Sequence, residues 1–298
     1  MALQNSGILV SLKITQWSAR KLDRGTSFEV CKTKHADQGS GSFNKQIIPK
    51  KYLANINQLV NKIRNYHYAN TLAWEHKGSD LLPSRNYFKY MTRMGELQDQ
   101  FTDAVAEFIK HYDTVVAQVQ NNLNDLYDIG DYPAPSEINR KFYMEITTTP
   151  IPAAGDFRID INNKELDKLK SKLAEQLDQA ELAAEKDLFS RLYTTLAKTI
   201  VTLGAPNAIF RNSLIFNIED ICTKIPDMNI TDNQNLNRVA HSILTYCKEI
   251  DIDKLREDQK YRKFTTITYK AHITKVEQIY EQLDTSGESK PGDQQTTD

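Results

Sequence analysis

The chain has 298 residues, 40% apolar and 26% charged, with a formal net charge of −1. That is long enough to bury a sizeable core in one large or two smaller domains. No apolar run reaches the ~20 residues of a membrane-spanning helix, and the N-terminus lacks a basic-then-apolar signal pattern, so no membrane role is expected.

Charge is unevenly spread. Residues 1–64 hold eleven Lys and Arg against Asp23, Glu29 and Asp37, a net of +8, so residues 65–298 total −9. This predicts an oriented molecule with one cationic end. The three cysteines, Cys31, Cys222 and Cys247, share no metal-ligand spacing and cannot all pair internally, which fits a reducing compartment and incidental thiols.

In chain order, residues 7–15 read as a strand: GILVSLKIT is β-branched and apolar with a single charge. Residues 25–43, rich in Gly, Ser, Thr and charge, read as a long loop. Leu53, Ile56, Leu59, Val60 and Ile63 give a short amphipathic helix after Pro49. Residues 65–82 contain an aromatic-rich turn around Tyr66, His67, Tyr68 and Trp74, leading to Pro83.

Two very long amphipathic patterns follow, at residues 84–128 and 163–203. The first runs Tyr87, Met91, Met94, Leu97, Phe101, Val105, Phe108, Tyr112, Val115, Val119, Leu123, Leu126. The second runs Leu166, Leu169, Leu173, Leu177, Ala180, Ala184, Leu188, Leu192, Leu196, Ile200, Leu203. Steps of three or four keep each series on one helical face. Ser84 after Pro83 is the expected N-cap of the first, which Gly130 and Pro133 should stop; Asn162 or Asn163 should cap the second, which Gly204 and Pro206 should stop. The irregular steps predict bundle packing with little supercoil. Each helix would be roughly 60 Å long, suiting an elongated hairpin.

Between them, Ser136-Glu137 starts a short helix, and residues 142–148 and 157–161 read as strands, expected to join 7–15 in a small sheet. Shorter helices are expected at 209–222, 235–248 and 261–283, with Thr231 or Asp232 capping the second of these. The tail, residues 285–298, is predicted to be disordered. The expected fold is mainly α with a small β-sheet (α+β): one domain over 1–284, comprising a basic strand-loop region 1–64, a helical hairpin with a β insert 84–203 and C-terminal helices 205–284.

No phosphate-cradling loop, dinucleotide fingerprint, HExxH, GxSxG or paired CxxC occurs, so nothing in the motifs proposes an enzyme and no cofactor is expected. Glu145, Asp156 and Asp160 form a metal-nuclease constellation, but strand alternation puts Arg158 beside both aspartates and favours a surface ion-pair cluster. Asp227, Asn229 and Asp232 loosely suggest a calcium loop without its glycine and glutamate. His67 and His76, with Glu75, share no helical face for zinc, and aromatic packing explains the cluster equally well. The surface that carries chemistry is basic and N-terminal: Trp17, Arg20, Lys21, Arg24, Lys32, Lys34, Phe43, Lys45, Lys50 and Lys51. Cations neutralise phosphates and aromatic faces stack bases, the combination that single-stranded nucleic-acid binders use. The competing reading is a solvated basic face paired with acids of the same chain.

Four segments, Leu12-Lys-Ile-Thr-Gln-Trp-Ser-Ala-Arg-Lys-Leu22, Tyr66-His-Tyr-Ala-Asn-Thr-Leu-Ala-Trp74, Leu81-Leu-Pro-Ser-Arg-Asn-Tyr-Phe88 and Ile151-Pro-Ala-Ala-Gly-Asp-Phe-Arg-Ile-Asp160, resemble a family of uncharacterised tailed-bacteriophage proteins over residues 7–230. The resemblance implies a phage protein in the host cytoplasm, and association with MoxR-type AAA ATPases implies an adaptor or client role. It transfers no catalytic residue. Three readings result, in this order: a non-enzymatic protein presenting its basic region to a polyanion, nucleic acid first; a scaffold or adaptor binding phage or host proteins; and a metal-dependent nuclease using Glu145, Asp156 and Asp160.

Overall fold

The computed structural model describes residues 3–74, 78–153 and 163–287, with side chains to residue 283. Among these residues the fold is mainly α with a small β component, as the periodicities predict: ten α-helices, six strands and four short 3-10 turns. In chain order the elements are α1 (Leu3–Ser6), β1 (Gly7–Thr15), β2 (Arg20–Asp23), α2 (Arg24–Thr33), β3 (Phe43–Gln46), α3 (Ala54–Asn70), β4 (Leu72–Ala73), β5 (Asp80–Pro83), α4 (Tyr87–Leu123), α5 (Pro135–Asn139), β6 (Tyr143–Thr149), α6 (Asn163–Gly204), α7 (Ser213–Met228), α8 (Gln234–Lys248), α9 (Ile252–Glu257) and α10 (Gln259–Gly287). No described helix is long and apolar enough to cross a membrane.

One sheet has the order β4-β5-β1-β6 and a second pairs β2 with β3. The strands expected at 7–15 and 142–148 are therefore present and adjacent. The strand expected at 157–161 lies outside the described residues. β4 and β5 occupy the segment read as an aromatic turn: each is four residues or fewer and β5 ends on Pro83, too short for an alternation signal to emerge. The antiparallel register sets Gly7 opposite Pro83 and Leu9 opposite Leu81. A side chain at Gly7 would meet Leu81 Cδ1 at 2.8 Å and the Leu82 carbonyl at 3.1 Å, so this close approach requires glycine.

The chain packs as two compact units, one of residues 1–11, 70–88 and 148–298, the other of residues 12–69 and 89–147. In the second, α4 buries Met94, Leu97, Phe101, Val105, Phe108, Tyr112, Val115 and Val119, every expected stripe position across that span. Around them lie Ile56, Val60 and Ile63 of α3, with Ile47, Ile48, Ile138, Phe142 and Met144. His67 of α3 is buried and bonds the Tyr90 hydroxyl through Nδ1 at 2.6 Å. Each buried Leu, Ile or Phe contributes about 1.5–3 kcal/mol, so this stripe holds the unit together. Ser84 is not the cap of α4: it opens a 3-10 turn, Ser84–Asn86, with no side-chain cap bond. The helix also stops earlier than Gly130, because Asn124 turns left-handed at φ 45°, a conformation asparagine tolerates better than most residues.

In the first unit, α6 runs Asn163–Gly204 against the predicted 163–203, and from Ala180 onward its stripe is buried at Ala180, Ala184, Leu188, Leu192, Leu196 and Leu203, with Ile200 half-buried. Its cover comes chiefly from α10 and α7, rather than from the hairpin partner expected of it. Arg191 stitches the helix to β4: it pairs with Asp187 at 2.6 Å and donates to the Thr71 carbonyl at 2.8 Å, while Asp187 accepts from the Ala73 amide at 3.3 Å. The cap of α8 is Asn233, one residue beyond the expected Thr231 or Asp232; its Oδ1 accepts from the Asn235 and Leu236 amides and its amide group donates to buried Glu185. The Thr265–Thr268 run is helical despite its β-branching, with Thr266 Oγ1 donating to the Arg262 carbonyl four residues back at 2.8 Å. Residues 285–287 of the expected tail belong to α10, and 288–298 lie outside the described residues.

Candidate polyanion-binding surface

The segment expected to be a loop, residues 25–43, is helical to Thr33 as α2 and a loop only over residues 34–42, within a β2-α2-β3 module of the second unit. Asp23 makes the difference. Its side chain accepts the Thr26 amide at 2.9 Å and caps α2, whose first-turn Ser27 then accepts the Phe43 amide at 2.9 Å and ties the helix to β3. His35 closes the helix at φ 53°, with the Ala36 amide on the Cys31 carbonyl at 2.9 Å. The capping aspartate lies just before a weakly apolar stretch, so no periodicity announces the helix.

Register then decides which basic residues face where. Lys21 sits opposite Lys45 and Asp23 opposite Phe43, so these four share one face of the two-stranded sheet, and Arg20 and Leu22 take the other. On the first face Lys45 is buried, 7% exposed, with Nζ 2.6 Å from Asp131, 3.4 Å from Asp23 and 3.0 Å from the Leu126 carbonyl. Lys21 adds a second pair to Asp131 at 2.9 Å. Burial pushes the Asp131 pKa up, but hydrogen bonds from Lys45 and Lys21 outweigh it and hold the carboxyl below its ordinary value. Burial disfavours charge on Lys45 too, and its two carboxylates more than offset this and raise its pKa. Lys45, expected in the binding set, is therefore a structural cation, and Lys21 is largely spent on the same acid.

The other expected residues divide as clearly. Arg20, Arg24, Lys32, Lys34, Lys50 and Lys51 are exposed and have no carboxylate partner among the described residues; Lys51 lies 4.8 Å from the Tyr52 ring. Around them only Glu29 and Asp37 of residues 20–51 are exposed acids, so with Lys21, Lys45 and Asp23 set aside as paired the stretch keeps a net +4, against +5 for all its charges. Both expected aromatics are half-buried. Trp17 packs edgewise on α4, with centroids 6.5 Å from Phe108 and 6.2 Å from Tyr112, so its rings belong to the core.

The aromatic that faces solvent is Phe28, 49% exposed, beside Leu22 at 46% and Val30 at 49%. Phe28 and Leu22 line an open groove of about 430 Å³ with Arg24, Cys31 and the Gly39–Ser42 turn. Sequence reading passed over Phe28 because it was placed in a loop; the Asp-x-x-Thr/Ser cap at residue 23 was the signal that could have placed it on a helix. Chemically, the surface offers an apolar floor with one exposed ring and the Arg24 guanidinium at its edge, on a module whose other exposed cations have no carboxylate partner among the described residues. That arrangement attracts anions and accepts a flat or apolar group between them.

The remaining candidates bring no such constellation together. Glu145 is exposed on β6, while Asp156, Arg158 and Asp160 lie outside the described residues, as do Glu75 and His76. Asn229 is buried with its amide on the Asn233 carbonyl and Asn237, both at 3.0 Å, which makes the Asp227–Asp232 loop a polar turn knitted by asparagines. No group of three or more His, Cys, Asp or Glu among the described residues is arranged for a metal. The three cysteines are buried and free; burial pushes the thiol of Cys222 up, and that of Cys247 to about 11.

No curated protein and no solved structure matches the chain. A family profile matches residues 4–205, which include the whole β2-α2-β3 module and both long helices. On that match the chain belongs to the family described as protein of unknown function (DUF3150).

Proposed function

We propose that this protein is a non-enzymatic binding protein whose β2-α2-β3 module holds a polyanion, with single-stranded nucleic acid the best fit. The observation that carries the reading is the separation of cations: Lys21 and Lys45 are neutralised by Asp131, whereas Arg24 lines a groove with Leu22 and Phe28, and Arg20, Lys32 and Lys34 of the same module are exposed without a carboxylate partner among the described residues. Phosphates would meet the rim and a base would lie on Phe28. The resemblance to tailed-bacteriophage proteins supports a setting in the host cytoplasm, where single-stranded nucleic acid is exposed during replication and transcription.

Fluorescence anisotropy of labelled single-stranded DNA and RNA at two salt concentrations tests this. Binding should weaken with salt, and replacing Arg20, Arg24, Lys32 and Lys34 by alanine should flatten the log–log slope by about 0.7 for each lost phosphate contact. Phe28→Ala should cost about 1–3 kcal/mol of binding. Absence of binding at low salt, or binding unchanged in the quadruple variant, refutes the reading.

A further inference from the structure

A second charge segregation lies wholly in the first unit. Residues 188–218 and 259–276 contain eight Lys and Arg and no Asp or Glu at all, in a chain whose net charge is −1. α6 and α10 bring these segments together: Leu203, Ala205 and Pro206 at the end of α6 line one concavity of about 220 Å³ with Lys263, Ile267 and Lys270 of α10. Two of the eight cations are spent internally, Arg191 on Asp187 and Arg262 on the Leu255 and Arg256 carbonyls. Lys198, Arg211, Lys260, Lys263, Lys270 and Lys275 are exposed with no carboxylate partner among the described residues.

Apolar side chains stand among these cations. Phe264 is 62% exposed and Ile267 65%, one turn apart on α10 and flanked by Lys260, Lys263 and Lys270. Val201, one turn before Ala205 on α6, is 75% exposed. Solitary exposed apolar residues need no explanation, but adjacent ones beside an apolar concavity mark a contact surface. Part of the positive charge complements the C-terminal dipole of α6; Lys263 and Lys270, on α10 at the concavity, have no carboxylate partner among the described residues.

We propose that this face docks an acidic, amphipathic segment of a partner protein, with one bulky apolar side chain seated between Pro206 and Ile267 and its carboxylates on Lys263 and Lys270. Charge complementarity selects an acidic partner. Phe264 is the one exposed ring between the cations on α10; the concavity itself is floored by Leu203, Pro206 and Ile267, which gain from burial against an apolar side chain and give a base no ring to stack on. A concavity of this size holds a single large side chain, since about 150 Å³ is enough for a benzene-sized group; a flat bilayer surface would leave it unfilled. The stripe from Lys260 to Lys270 is about 15 Å long, three turns of a partner helix with apolar anchors at spacings of three and four.

The test uses the full chain and a fluorescein-labelled acidic peptide of about 14 residues, Glu-rich with Leu on one helical face, alongside a scrambled peptide of the same composition. The patterned peptide should bind with a Kd of about 10 µM. Ile267→Ser and Phe264→Ser should each weaken it about tenfold, Lys263→Glu with Lys270→Glu should abolish it, and Arg20→Ala with Arg24→Ala should leave it unchanged. Phe264, Ile267 and both lysines are exposed, so these variants keep the fold, which circular dichroism confirms. Equal binding of the scrambled peptide, or an unchanged affinity in Ile267→Ser, overturns the proposal. So does displacement of the peptide by single-stranded DNA or by phosphatidylserine vesicles whose own binding ignores Ile267→Ser. Self-association in light scattering that Ile267→Ser removes would assign the face to a second copy and overturn the partner stated here.

Discussion

Replacing Lys45 with methionine separates a structural cation from a binding one. The substitution keeps the length of the stem and deletes the charge that lies 2.6 Å from Asp131 and 3.4 Å from Asp23. Asp131 is 7% exposed and would retain one partner, Lys21 at 2.9 Å, whose own side chain is half exposed. Breaking a buried ion pair costs about 3–5 kcal/mol when the survivor is left alone; because Lys21 stays, about 2–3 kcal/mol is expected. Asp131→Asn in the Lys45→Met background should recover part of the loss, because it removes the stranded charge. Urea unfolding followed by Trp17 fluorescence in a Trp74→Phe background reads the unit that contains the pair, since Trp17 packs on Phe108 and Tyr112. The sign of the pH dependence follows from Asp131, whose folded pKa is depressed: its contribution is complete above the unfolded value of about 3.9 and is lost as the pH falls through the folded value. Lys50→Ala, an exposed control, should stay within about 0.5 kcal/mol. A Lys45→Met protein of unchanged stability that has lost affinity for nucleic acid would refute the inward assignment and return Lys45 to the binding surface.

Three further outcomes are expected. Asn233→Ala removes the cap of α8 and strands the buried Glu185 carboxylate, costing about 2–4 kcal/mol, whereas Asn233→Ser, which keeps a capping oxygen, should recover about 1 kcal/mol of it in thermal unfolding. Gly7→Ala forces a Cβ to within 3.1 Å of the Leu82 carbonyl, a backbone atom that cannot step aside, and should cost about 1–3 kcal/mol; an unchanged melting temperature would show the β1–β5 pairing to be looser than its register implies. His272 is buried, and desolvation, helped by Lys275, holds its pKa down, so its contribution is complete above the unfolded value of about 6.5 and is lost as the pH falls through the folded value. His272→Gln should therefore flatten stability as the pH falls below about 6.5, read as a melting temperature that drops less on acidification than that of the unaltered protein.

The elements that were legible before the fold was known are those whose signal is long. α4 and α6 were placed within a few residues over most of their length, because a stripe of three- and four-residue steps sustained over some forty residues admits one periodicity. What stayed hidden depended on single residues or on pairing. A capping aspartate turned a Gly/Ser/Thr-rich loop into α2 and put Phe28 at the surface, and two strands too short to alternate completed the sheet.

The charge argument shows the same limit from the other side. Residues 65–298 total −9, and within them residues 188–218 and 259–276 hold +8, so the rest carry −17. A sum taken along the chain merged these two acid-free segments with their acidic flanks and returned a number that pointed only at the N-terminus. Packing shifts that weighting: the N-terminal +8 loses Lys21 and Lys45 to Asp131, and Lys45 also holds Asp23, which leaves the segment +7, whereas residues 188–218 and 259–276 keep six exposed cations with no carboxylate partner among the described residues. Attraction between a protein and an anionic partner depends on the charges left uncompensated on one face. By that criterion the family-matched N-terminal module and the α10 segment, which lies beyond the family match, are the two places where the proposed recognition of a phosphate-bearing and of an acidic amphipathic partner can be tested independently, since each can be varied without touching the other.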